Sequence, residues 1–80
     1  MTTEEKIIQI IGIAFNKDTT NMTIADCIPE QIDGWDSLGF LNLINLFEEE
    51  LCISFDMEDI SVMSAGGEDM MKIITKLTGV

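Results

Sequence analysis

Ser37 is the residue of this chain best placed to do chemistry. It stands in Gly34-Trp35-Asp36-Ser37-Leu38, where a polar stretch turns into an amphipathic run, and a hydroxyl at a helix start has two uses. It can cap the helix, as can its neighbour Asp36, because both residue types accept hydrogen bonds from first-turn N–H groups. It can also carry a phosphate ester, which would sit beside unpaired backbone N–H groups and the positive end of the helix dipole. Repulsion from Asp33 and Asp36 opposes the second use, but water and salt weaken that repulsion at an exposed site. Capping and attachment are compatible.

The remaining inventory argues against catalysis by this chain alone. There is no His and no Tyr, and the four basic residues are Lys6, Lys17, Lys72 and Lys76. Acid–base chemistry therefore has no imidazole to use. Cys27 and Cys52 show neither metal-ligand spacing nor a CxxC, and neither has a basic neighbour in sequence to lower its thiol pKa. Both read as reduced thiols rather than as a disulfide framework. No loop has the spacing of a calcium-binding EF-hand.

A serine in this role needs a scaffold, which the rest of the chain must supply. Its 80 residues make one domain, 1–80, and a chain of this length buries only about 60–65% of the surface its unfolded form exposes. The apolar fraction of 46% suits a folded protein rather than a disordered one. Fifteen acids against four lysines give a net charge of -11, which disfavours nucleic acid and anionic membrane and favours partners with basic patches. Between Lys17 and Lys72 there are thirteen acids and no base, so pairing with other molecules explains the surface better than internal salt bridges. No apolar run approaches the length of a membrane span and no segment resembles a leader. The expectation is a monomer in the cytoplasm, without membrane insertion.

The periodicity predicts an all-α fold, a small four-helix bundle of three main helices and one short one. Thr2-Thr3-Glu4-Glu5 has capping-box spacing, and Ile7, Ile8, Ile11, Ala14 and Phe15 recur at helical intervals, so helix I runs from about Thr3 to Asn16. From Lys17 to Trp35 no period is sustained, which predicts a long loop with at most one turn of helix inside it. Helix II starts at Asp36-Ser37 and reaches about Leu51. Phe40, Leu43, Ile44, Phe47 and Leu51 form its core stripe, and Leu38 and Leu41 lie on the solvent side. Asp56 caps a short helix III through about Ile60. After Gly66-Gly67, the spacing of Met70, Met71, Ile73, Ile74 and Leu77 predicts helix IV to Thr78, with Gly79 as its stop.

With these elements in place, Asp36-Ser37-Leu38 resembles the site of the acyl carrier proteins. That family attaches phosphopantetheine to the serine of an Asp-Ser-Leu triplet at the start of its second helix. Leu43 through Leu51, with Glu48-Glu49-Glu50 inside it, is similar to the end of that helix in the family, and length, helix order, loop and charge agree over nearly the whole chain. The resemblance implies a 4'-phosphopantetheine cofactor on Ser37, delivered from coenzyme A by a phosphopantetheinyl transferase, with Asp36 helping that enzyme position its metal and cofactor. It also implies that acyl ligase or synthase enzymes with basic patches dock on Leu38 and Leu41 within a rim formed by Glu48, Asp56, Glu58 and Asp59. Family members shelter the acyl chain between their helices, where this chain's flexible methionines would help.

Three features depart from the common pattern. Many fatty-acid carriers have acids directly after the triplet and three positions later, where this chain has Gly39 and Asn42. Gly39 costs about 1 kcal/mol of helix stability relative to Ala and predicts a mobile attachment region. Trp35 before the triplet resembles carriers of specialised pathways that stand beside a dedicated ligase or synthase. Asp36, in place of the glycine-rich segment of peptidyl carriers, favours acyl cargo. The competing expectation is an unmodified acidic helical adaptor that docks basic proteins through the same leucines and carboxylates.

Overall fold

A computed structural model describes residues 2–79. Its elements are α1 (Thr3–Phe15), a 3₁₀ turn (Ile24–Asp26), α2 (Ser37–Leu51), α3 (Met57–Met63) and α4 (Gly67–Thr78), and no strand occurs among the described residues. The described residues form an all-helical fold with four α-helices, as expected.

Local sequence accounts for most of the boundaries. Thr2 and Glu5 close a reciprocal capping box on α1, with Thr2 Oγ1 accepting from Glu5 N at 3.1 Å and Glu5 Oε1 accepting from Thr2 N at 3.2 Å. At its other end Asn16 adopts a left-handed conformation, φ 53°, and its N–H reaches back to the Gly12 carbonyl. Cys52 ends α2 in the same way at φ 55°, and Gly79 ends α4. Within the connection between α1 and α2, Asp26 closes a box with Thr23.

The core forms where the helical stripes meet. Ile7, Ile10 and Ile11 of α1, Leu43, Ile44 and Phe47 of α2, Met63 of α3 and Met70, Ile73 and Ile74 of α4 are all buried, joined by Cys27, Ile32 and Phe55 from the connections. Burial of each large side chain contributes roughly 1.5–3 kcal/mol. α1 packs against both α2 and α4, and α3 packs against α4. Phe40 and Leu51, expected in the α2 core stripe, are half-buried at its two ends.

Two boundaries differ from the expectation. α3 extends past Ile60 to Met63 because Met63, one turn on, is fully buried in the core. α4 begins at Gly67 rather than near Met70. The Gly67 N–H bonds the Cys27 carbonyl at 2.6 Å, so a contact with a distant segment starts the helix that a Gly-Gly pair would locally oppose.

Candidate functional site

The start of α2 is built from one turn and one cap. Gly34, at φ 88°, bends the chain, and its carbonyl accepts the Asp36 N–H at 2.9 Å. Asp36 then caps the helix through Oδ1, which accepts the Gly39 N–H at 2.8 Å, while its carbonyl accepts the Phe40 N–H at 2.8 Å. Asp36 is therefore the cap. Ser37, the first helical residue, is exposed, and no backbone carbonyl among the described residues accepts the N–H groups of Ser37 and Leu38.

Gly39 has a packing role that helix propensity alone does not reveal. A Cβ there would overlap the Gly34 carbonyl oxygen and come within 3.0 Å of the Phe15 ring. The glycine lets the turn fold flat onto the first turn of α2, so its absent side chain gives close packing rather than looseness. Around this contact, Trp35 stacks on Phe15 with ring centroids 5.4 Å apart and on Phe40 at 6.4 Å, at interplanar angles of 12° and 10°. Sequence reasoning marked Trp35 as distinctive but missed this stack, because no local period links the last residue of α1 to the start of α2.

Leu38 and Leu41 lie on the solvent side as their wheel positions predict, 69% and 52% exposed. Met57, 87% exposed at the start of α3, is a further apolar group at the surface that the sequence reading did not single out, and Val62 is exposed beyond it. Single exposed apolar side chains are common on any protein, so exposure by itself assigns these residues no role.

The four acids of the expected rim are each placed differently. Glu58 is exposed. Asp56 is exposed as well but caps α3, its Oδ1 accepting the Asp59 N–H at 2.8 Å. Glu48 is half-buried and ties the chain after α2 to the helix, with Oε2 accepting the Phe55 N–H at 3.0 Å. Asp59 does not belong to an exposed rim: it is 7% exposed, faces Lys76 Nζ at 3.5 Å and completes the α3 capping box. The pattern Asp56-x-x-Asp59 carried that signal, since the fourth residue of a capping box turns back onto the chain.

Electrostatically the helix start stays negative. The two ion pairs among the described residues, Lys72–Asp69 and Lys76–Asp59, both use lysines of α4. Away from the site, Thr2 holds the Glu5 carboxyl below its ordinary value by hydrogen bonding, and Thr20 and Thr23 do the same for Asp18 and Asp26. Burial pushes the Cys27 thiol up to about 11, with the Asp26 charge adding to the shift, so it is an inert core group. Cys52 is exposed. No group of three or more potential metal ligands occurs among the described residues, and no described helix is long and apolar enough to cross a membrane.

No family model matches this chain, and neither a curated protein nor a solved structure matches it.

Proposed function

We propose that this chain is an acyl carrier, modified at Ser37 with 4'-phosphopantetheine and carrying acyl intermediates as thioesters for fatty-acid, polyketide or related specialised biosynthesis. One observation carries the reading: at the start of α2 Asp36 makes the capping bond, which leaves the neighbouring serine exposed and without that task. Esterifying a capping serine would weaken the helix it starts; esterifying Ser37 would not.

The residues present suit the group. The Ser37 and Leu38 N–H groups are available to phosphate oxygens, and the positive end of a 15-residue helix lies beside them. Attachment joins Ser37 Oγ to the phosphorus of the pantetheine phosphate of coenzyme A. The pyrophosphate bond breaks, adenosine bisphosphate leaves, and the hydroxyl proton passes to a base of the transferase. When bound, the arm supplies the terminal thiol that holds the acyl group. The chain itself is not an enzyme on this reading. It holds the arm, presents Asp36 to the transferase, and offers Leu38 and Leu41 with Glu48, Asp56 and Glu58 to basic ligases or synthases. Its charge speeds those encounters.

The exposure of Leu38 and Leu41 equally favours an unmodified acidic adaptor, and the two readings separate on Ser37. Incubation with coenzyme A and a broad-specificity phosphopantetheinyl transferase, read by intact mass, tests the carrier. An adaptor gains no mass and binds its partner as well with Ser37→Ala.

A further inference from the structure

We infer that Trp35 is a positioning residue for modification at Ser37, an inference that rests on the carrier reading above. Trp35 directly precedes the cap Asp36, and its ring stacks on Phe15, the last residue of α1, and on Phe40, in the first turns of α2. The two near-parallel contacts tie the indole to both helices, so the backbone leading into Asp36 is held to two elements at once.

The glycines complete the clamp. Gly34 turns the chain, its carbonyl lies against Gly39, and the Phe15 ring covers both positions, a Cβ at Gly34 lying 3.7 Å from Phe15 Cδ1. Ser37 makes no capping bond of its own, so the place of its hydroxyl is set by the backbone on either side of it. A transferase must bring that hydroxyl to a phosphorus in a defined geometry, and small misplacements are costly in such a reaction. The stack supplies the order that a glycine-flanked turn would otherwise lack.

The test compares Trp35→Leu, which keeps apolar bulk but removes the flat ring, with Trp35→Phe, which keeps a ring. Ile74→Val, a change in the core of α4, serves as a control for loss of stability alone. Hydrogen exchange at the Gly39 and Phe40 amides and the rate of Ser37 modification by a phosphopantetheinyl transferase with coenzyme A are measured for each. Trp35→Leu is expected to speed exchange at those two amides and slow modification by about tenfold, Trp35→Phe to restore both, and Ile74→Val to leave the modification rate unchanged. Modification of Trp35→Leu at the wild-type rate, or slowing no greater than that of Ile74→Val, would overturn the role of Trp35. A wild-type chain that is never modified would instead overturn the carrier reading itself.

Discussion

The carboxylate of Asp36 accepts the Gly39 N–H at 2.8 Å, so the residue before Ser37 rather than Ser37 itself starts α2. This separates two properties that a sequence alone leaves merged, helix stability and availability of the serine. Asp36→Ala should destabilise the fold by about 1 kcal/mol, the usual cost of a lost N-cap, whereas Ser37→Ala should change stability by less than about 0.5 kcal/mol. Urea unfolding of the two variants checks this, and equal losses would assign the cap to both residues.

Gly39→Ala makes a prediction opposite in sign to helix propensity. In an open helix the change would stabilise by about 1 kcal/mol. Here the new methyl meets the Gly34 carbonyl and the Phe15 ring, and the overpacking should cost about 1–3 kcal/mol. A rise in melting temperature would show that the turn does not press on the helix.

Asp59 and Glu58 are adjacent acids with different work. Asp59→Ala removes the α3 capping box and leaves Lys76 without its carboxylate, and should cost about 1–2 kcal/mol. Glu58→Ala should be neutral within about 0.5 kcal/mol, and any effect it has should fall on the association rate with a basic partner, growing as salt is lowered. Stability and association measurements on the pair decide it; a Glu58 variant that melts early would contradict the assignment.

The two thiols should behave oppositely. In the folded chain a thiol reagent should label exposed Cys52 quickly and buried Cys27 only as fast as the protein opens. Because burial raises the Cys27 pKa from 9.0 to about 11, the unfolded chain gives up that proton first as pH rises. The contribution of the neutral thiol to stability is whole below pH 9 and is lost between there and about 11. Cys27→Ala should flatten that part of the stability curve against pH relative to wild type. An unchanged slope would place the thiol outside the coupling.

Much of the scaffold could be read from the chain, for physical reasons that also explain the failures. α1, α2 and α4 follow from apolar residues at helical spacing, and Thr2, Asp36 and Asp56 cap helices in the structure as their positions suggest. What escaped depends on contacts between distant segments. The Gly67–Cys27 bond moves the start of α4, the burial of Met63 lengthens α3, and the fit of Gly39 against Gly34 reverses the meaning of a helix glycine. Asp59 was misjudged because charge alone does not distinguish a solvated acid from one folded back onto its own helix. At Ser37, residue types suggested two uses of a hydroxyl, and the geometry assigns the cap to its neighbour.

Attachment at Ser37 is decided by intact mass, taken before and after incubation of the wild-type chain and its Ser37→Ala variant with coenzyme A and a broad-specificity phosphopantetheinyl transferase. The carrier account predicts a gain of one phosphopantetheine on the wild type and none on a variant that folds equally well by circular dichroism. A folded wild type that gains nothing, or a variant that gains as much, would contradict it.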